Sequence, residues 1–292
     1  MRVNVRTLFA FYPNLRQPTL SYAQQSSGEA PKAVELPRDY RIAAGAIGYL
    51  KPGPFSNIYA EDSSQTWNTE EFFGLIDEAF SAFKAAQIEK LVIDLRNNPG
   101  GTNSFSDYML GYFVDQPFRF AADFRVKVSS FAEAANQARL AADEPADSIN
   151  AQLAAIYTSH DEGEIVSFPL QDSQPLPLAQ RLAIDPAKVF VIVDRYSYSN
   201  AVSVAAIVQD YGFGMIIGEP TADLATTYAS MESFTLSRTG IEVGFPKAHI
   251  IRPNGDEEAA GVTPDHVLGC FAETSNAAQR LACALEFVAK QP

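Results

Sequence analysis

The chain alternates between short, continuous apolar runs and segments with the apolar spacing of a helix. Residues 90–95 (KLVIDL) and 188–194 (KVFVIVD) are continuous runs of the kind found in buried parallel strands. The second run is followed by an apolar segment, residues 200–211, which predicts a helix that ends at Gly212. Helices placed between buried parallel strands indicate an α/β fold.

Further helices and strands flank these runs. A helix is predicted to begin at Asn68, where Glu71 three residues on completes a capping-box pattern. Its apolar side chains fall on one face: Phe72, Ile76, Ala79, Phe80 and Phe83. AIGYLK and GMIIG predict short strands, residues 104–113 predict a helix, and SNAAQRLACALEFVAK predicts an amphipathic C-terminal helix.

Three regions lie outside this α/β pattern. Residues 1–40 hold two alternating segments, PTLSYAQ and AVELP, which predict a hairpin that leads into a core domain at residues 41–292. An insertion at about 115–185 interrupts the core, and its alanine-rich residues 130–158 are predicted to be mostly helical. Late in the core, ESFTLSR, IEVGFP and AHIIRP alternate as a β-meander.

Composition excludes several classes of function. The 292 residues are 47% hydrophobic and carry a formal net charge of −13, so no basic stripe is offered to nucleic-acid phosphates. No apolar run reaches the ~18 residues needed to cross a bilayer. His160, His249 and His266 lack metal-ligand spacing, and two cysteines cannot build the usual four-ligand zinc site. We therefore expect no metal and no other cofactor.

The two cysteines are predicted to form a disulfide. Cys270 follows the last predicted strand, and Cys283 lies in a C-terminal helix that could fold back to meet it. Closing a loop of about a dozen residues contributes about 3 kcal/mol in the chain-entropy treatment. Such a bond would also indicate an oxidising compartment. Two buried free thiols are the alternative.

Two junctions between a strand and a helix offer chemistry. In the first, Gly100 and Gly101 follow the 90–95 strand, and bare backbone N–H groups there could face a ligand; the alternative is a tight turn that needs positive φ. In the second, Ser199 lies where the 188–194 strand turns into a helix, so its hydroxyl would be exposed near a helix N-terminus. The alternative is that Ser199 only caps the helix.

The order and spacing of three segments resemble the tail-specific, or C-terminal-processing, serine protease family. They are LVIDLRNNPGG, VIVDRYSYSNAVSVAAIVQDYGFGMIIGEPTA and IIRPNGDEEAAGVTPDHVL. The resemblance covers roughly residues 40–270, apart from the insertion, and implies a crotonase-like or Clp-protease-like core. Members usually carry a PDZ domain before or within that core, so residues 1–40 are expected to be the end of such an upstream region.

The resemblance also implies roles for individual residues. Ser199 matches the nucleophile, and the backbone N–H groups of Gly100 or Gly101 and of Asn200 match the donors of the oxyanion hole. The common branch of the family uses a lysine as the base, but Leu224 stands at that position here. A leucine cannot accept a proton, so a serine–lysine design is excluded.

A second, tricorn-like branch of the family uses serine, histidine and glutamate. Its glutamate lies in a pattern E-x-x-G-x-x-P-D, which Glu258 matches together with the glycine, proline and aspartate that follow. The alternative for Glu258 is one solvated acid in an acidic run. The histidine of that branch precedes the peptide-binding domain, and no such segment exists in this sequence. We do not assign the role of catalytic base to His249, so we expect the base to lie upstream of the chain.

These observations predict a serine endopeptidase or C-terminal-processing protease that acts on peptides or proteins through an acyl-enzyme. Specificity would lie in a pocket beside Ser199 and in the upstream region. The resemblance and the predicted disulfide favour a periplasmic or extracellular location, and the oligomeric state is left open, a homo-oligomer included. The alternative is a non-catalytic module that binds a lipophilic ligand or a peptide, as the interphotoreceptor retinoid-binding members of the same family do.

Overall fold

The computed structural model describes residues 38–44, 46–140 and 148–292. All of these residues belong to one compact unit, Leu36–Pro292. The hairpin predicted in residues 1–40 therefore falls outside them, and the assignment of these residues to an upstream domain stays a prediction.

The described part alternates strands and helices, as the apolar pattern predicts. Its strands are β1 (Asp39–Ala43), β2 (Ile47–Lys51), β3 (Lys90–Asp94), β4 (Asp123–Lys127), β5 (Ile165–Ser167), β6 (Val189–Val193), β7 (Met215–Gly218), β8 (Thr227–Thr235), β9 (Glu242–Ile251) and β10 (His266–Val267). Its helices are α1 (Glu70–Ala85), α2 (Asn103–Gly111), α3 (Ser130–Gln137), α4 (Ile149–Ser159), α5 (Asn200–Asp210), α6 (Cys270–Glu273) and α7 (Ala277–Ala289).

The larger sheet has the order β1-β2-β3-β6-β7-β10 among the described residues. All neighbours in it are parallel except the edge pair of β1 and β2. Residues 90–94 and 189–193 are buried throughout, because helices cover both faces of the sheet. One face packs on α1, α2 and α5, and the other packs on α6 and α7. The α/β fold class predicted from the sequence is confirmed.

The first helix shows how sequence and structure compare locally. The five residues predicted to share one face of α1 are all buried, as expected. The predicted capping box is wrong: the helix begins at Glu70, its N-cap is Thr69, and Asn68 Oδ1 accepts the Glu70 N–H at 2.9 Å. Glu71 does not complete a capping box, because its carboxylate pairs with the largely buried Arg38.

A second sheet, in the order β5-β4-β9-β8, is antiparallel. IEVGFP and AHIIRP, predicted as two strands of a meander, form the single strand β9. Pro246 is tolerated inside it because β4 pairs only with residues 248–251, so beyond them β9 has β8 as its neighbour. The insertion supplies β4, β5 and the helices α3 and α4, which pack on this sheet.

The C-terminal helices are joined as predicted. A disulfide links Cys270 in α6 to Cys283 in α7, so the alternative of two free thiols is not what the structure shows. Across the described ranges, no helix is both long and apolar enough to span a bilayer.

Candidate active site

The two predicted junctions meet at one edge of the larger sheet. Strands β3 and β6 are parallel neighbours, with Asp94 opposite Ile192, so the loops that follow them emerge side by side. The Leu95 N–H donates to Ile192 O at 2.9 Å, and the Tyr198 N–H donates to Asn98 O at 2.9 Å. These hydrogen bonds place the glycine loop directly against the Ser199 turn.

Ser199 has a backbone conformation that is unusual for its residue type. Its φ of 52° and ψ of −125° lie outside the regions that non-glycine residues ordinarily occupy. The residue precedes α5, yet its side chain makes no capping hydrogen bond, and the residue is exposed. The capping alternative therefore fails, and strain of this kind is characteristic of residues held in place for function.

Gly100 lies in contact with this turn. A Cβ built on it, at a φ of 85°, would come within 2.7 Å of Asn200 N and 2.8 Å of Ser199 Cβ. No other residue type would let the two loops approach this closely. The Gly100 N–H donates to Asn98 Oδ1 at 2.8 Å, so that donor is already used within its own loop.

Gly101 is fixed by contacts with the neighbouring segment at Phe55. A Cβ on Gly101 would stand 2.0 Å from Phe55 O. Around it, the Phe55 N–H donates to Gly100 O at 2.8 Å, and the Thr102 N–H donates to Phe55 O at 2.9 Å. The two glycines thus have different constraints: Gly100 is crowded by the Ser199 turn and Gly101 by Phe55.

Asn200 begins α5 behind the serine. Asn200 is buried, and its Nδ2 donates to Ser106 Oγ in α2 at 2.9 Å. The backbone N–H groups at this end of α5 carry the partial positive charge of the helix N-terminus, which favours negative charge developing beside Ser199.

A network of buried polar side chains at the ends of β3 and β6 holds the glycine loop and the Ser199 turn in place. Arg96 donates to both carboxylate oxygens of Asp94, and Tyr49 Oη donates to Asp94 Oδ2 at 2.7 Å. Burial raises the pKa of Tyr49, and the neighbouring Asp94 carboxylate raises it further. Burial likewise raises the pKa of Asp194, although the Asn97 and Tyr196 N–H groups that donate to its carboxylate act in the opposite sense.

The loop at residues 221–225 reaches the serine from another side. The Ser199 N–H donates to Asp223 Oδ2 at 2.5 Å. Leu224, at the position where the sequence comparison expects a lysine, is half-buried and pairs with Gly261. The pairing continues through the Ala225 N–H, which donates to Ala260 O at 2.9 Å.

Glu258 lies in an exposed stretch that leads into this pairing. Its own carbonyl accepts the Ala260 N–H at 2.9 Å, and its N–H donates to Asp256 Oδ1 at 2.9 Å. The Glu258 side chain is therefore carried by the segment that pairs with the Asp223 loop. The structure gives no direct contact between Glu258 and Ser199.

The three histidines lie in other surroundings. His160 follows α4, where its Nδ1 lies 3.1 Å from Ile156 O. The rings of His249 and Tyr228 stack at 4.5 Å, and those of His266 and Phe287 at 4.3 Å. Over residues 38–44, 46–140 and 148–292, no cluster of three or more potential ligands could hold a metal ion.

A cavity of about 440 Å³ lies on the insertion side of the glycine loop. Its apolar lining includes Phe120, Leu153 and Phe168, and Asn103 lines it from the first turn of α2. Asn103 is two residues from Gly101, so its Cα lies within about 7.6 Å of the Gly101 Cα.

Three residues of the site were not predicted from the sequence. Asn98 holds the glycine loop through its side chain, and the fully buried Ser197 donates to Leu95 O at 2.8 Å. Asp223 accepts from Ser199. For Asp223, the sequence offered one signal: it directly precedes Leu224, the position at which a lysine is expected. Nothing in the local sequence distinguished Asn98 or Ser197 from ordinary loop residues.

Comparison with known proteins agrees with the architecture. The sequence profile described as Peptidase family S41 matches residues 47–268. No curated protein is similar enough in sequence to match.

Solved structures with the same fold include a mutant of CPAF, with a TM-score of 0.59, 18% identity, and coverage of 87% of this chain and 51% of that one. Mature CPAF has a TM-score of 0.53 at 18% identity, with coverage of 82% and 51%. A Parabacteroides merdae protein described as a peptidase has a TM-score of 0.53 at 18% identity, with coverage of 91% and 67%. The chain thus spans about half the length of the CPAF structures.

Proposed function

Because the chain belongs to Peptidase family S41, we propose that it is the catalytic domain of a serine peptidase of the tail-specific kind, with Ser199 as its nucleophile. The observation that supports this most strongly is the Ser199 turn. An exposed serine with a φ of 52° and no capping bond faces a glycine whose missing Cβ leaves room beside it. Neither feature is needed by a helix cap or an ordinary turn.

In the proposed reaction, Ser199 Oγ attacks the carbonyl carbon of a peptide bond while its proton passes to a base. The base then gives that proton to the leaving amine, and water releases the acyl group from Ser199 by the reverse sequence. We assign the oxyanion donors to the backbone N–H groups of Gly101 and Asn200. The Gly100 N–H is held by Asn98, so we assign Gly100 to the close approach of the two loops.

We place the protein in the Ser-His-Glu branch, with Glu258 orienting a histidine that lies upstream of residue 1. This proposal is supported by Leu224, which stands where the other branch has its lysine, and by the contacts that each histidine of the chain makes elsewhere. An imidazole base needs a partner that fixes its tautomer and stabilises its cation, and a carboxylate serves this purpose. The 292-residue chain by itself is then expected to hydrolyse peptides poorly.

We take the substrate to be a peptide or protein, and the cavity lined by Asn103, Phe120 and Phe168 to receive one of its side chains. The disulfide supports a location in an oxidising compartment outside the cytoplasm. The second candidate function is a binding module for a lipophilic ligand, which the same cavity would favour. Such a module has no use for the Ser199 conformation.

Labelling with a fluorophosphonate probe separates the two functions. The longest natural form of the protein should be labelled at Ser199, and a Ser199→Ala variant with an unchanged unfolding curve should not be labelled. Hydrolysis of peptides should fall by several orders of magnitude in the same variant. An unlabelled natural form that binds a fatty acid tightly would instead establish the binding module.

A further inference from the structure

The carboxylate of Asp223 is the polar group that contacts the backbone of the proposed nucleophile from outside its own loop. Asp223 Oδ2 accepts the Ser199 N–H at 2.5 Å, across 24 residues of sequence. The other hydrogen bonds of the Ser199 backbone are local: the Val202 and Ser203 N–H groups donate to Ser199 O within the first turn of α5.

The conformation of Ser199 requires such a contact. A non-glycine residue with a φ of 52° and a ψ of −125° costs of order 1–3 kcal/mol, and it persists only where the surroundings hold it. A hydrogen bond to the N–H of that same residue opposes relaxation of its φ, because rotation would swing the N–H away from the acceptor.

The loop that presents Asp223 is itself rigidly fixed. Thr221 Oγ1 donates to Asp223 O at 2.9 Å and accepts the Val262 N–H at 2.9 Å, and the Thr221 N–H donates to Val262 O at 3.1 Å. Gly261 lies so close that a Cβ on it would stand 2.2 Å from Thr221 O. Asp223 is half-buried in this setting, so its carboxylate is delivered from a fixed position rather than from a loose surface loop.

The position of Asp223 also shows that its role differs from the one proposed for Glu258. A carboxylate that orients an imidazole must stand one ring away from the serine hydroxyl. Asp223 Oδ2 instead accepts the N–H of Ser199 itself at 2.5 Å, so the contact it makes is with the serine backbone. The carboxylate therefore acts on the serine and not on the base.

We propose that Asp223 is a positioning residue that locks Ser199 in its strained conformation and so aims Oγ at the substrate carbonyl. The proposal rests on the proposed function of Ser199. The loop that carries the lysine base in the serine–lysine enzymes here carries a hydrogen-bond acceptor one residue before that position, at Asp223, with a different role. A 1 Å misplacement of a reacting group can cost about a hundredfold in rate, so the turnover of the enzyme would depend on this contact.

The test compares two substitutions with a matched control. Asp223→Ala removes the acceptor, Asp223→Asn keeps an acceptor oxygen without the charge, and Asp115→Ala removes an exposed carboxylate far along the chain. Two readouts are measured on each: hydrogen exchange of the Ser199 amide in the 292-residue chain, and the rate of fluorophosphonate labelling of Ser199 in the longest natural form.

We expect faster exchange of the Ser199 amide and labelling slowed on the order of tenfold to a hundredfold in Asp223→Ala. Asp223→Asn should restore both to within a few-fold of wild type, and Asp115→Ala should change neither. Exchange and labelling that are unchanged in Asp223→Ala would overturn the proposal while leaving Ser199 as the nucleophile. An Asp223→Asn variant as defective as Asp223→Ala would also overturn it, since charge and not hydrogen-bond acceptance would then matter.

The amide readout keeps this proposal distinct from the proposed function. If wild-type Ser199 is never labelled, the peptidase proposal fails. The exchange data then still decide whether Asp223 holds the turn, because that measurement needs no chemistry at Ser199.

Discussion

Replacing Gly101 with alanine tests whether the glycine loop is held as tightly as its contacts indicate. The new Cβ would stand 2.0 Å from Phe55 O, whereas real Cβ atoms keep at least 3.0 Å from their neighbours. Either the glycine loop or the segment at Phe55 must therefore move by at least 1 Å. The neighbour is backbone, so no flexible side chain can turn aside to relieve the contact.

The energetic cost follows from what such a shift disturbs. Alanine at a φ of 140° adds strain of order 1–3 kcal/mol. Moving Phe55 weakens the hydrogen bonds that join it to Gly100 O and to the Thr102 N–H, each worth roughly 0.5–1.5 kcal/mol. We expect the free energy of unfolding to fall by about 2–6 kcal/mol in total.

Urea unfolding of the 292-residue chain measures this loss, with Gly74→Ala as the matched control. Gly74 is exposed within α1, and a Cβ there would meet nothing within 4 Å. The same substitution should therefore stabilise the protein at position 74 by roughly 0.5–1 kcal/mol. If Gly101→Ala unfolds at the wild-type urea concentration, the glycine loop is not constrained as described, and its role as a fixed oxyanion donor loses its physical basis.

Three further predictions concern other parts of the molecule. Glu258→Gln should slow peptide hydrolysis strongly in a longer form that includes the upstream histidine, with little change in unfolding; a rate close to wild type would remove Glu258 from the triad. Replacing Cys270 and Cys283 with serine should lower the free energy of unfolding by about 3 kcal/mol, and reduction of the wild type should add two hydrogens to its intact mass; an unchanged mass would mean no bridge. Although burial of the Glu232 carboxylate favours its neutral form, hydrogen bonds from Arg139 and Lys247 outweigh that effect and lower its pKa. This carboxylate therefore stabilises the fold above its ordinary pKa of 4.5, and the contribution is lost as the pH falls below that value. Glu232→Gln should flatten the acid limb of the stability curve, and an unchanged acid limb would contradict the pairing.

Local sequence determined the elements of this protein and the identity of its nucleophile candidate. Continuous apolar runs fixed β3 and β6, because a strand buried on both faces needs apolar side chains on both. Ser199 and the glycine pair could be picked out because each follows such a strand directly. Cys270 and Cys283 could be paired because the two were the only thiols in the chain.

The tertiary structure alone decided what surrounds those residues. Strand β9 is one strand and not two because β4, from more than a hundred residues upstream, pairs with only part of it. Asp223 and Asn98 acquire their roles through contacts with the Ser199 N–H and with Gly53 O, which depend on how separate loops are brought together. A short carboxylate or amide has the same local pattern in any loop, so sequence periodicity carries no information about its partner. Only the parallel pairing of β3 with β6 and the antiparallel pairing of Leu224 with Gly261 set these groups against the serine.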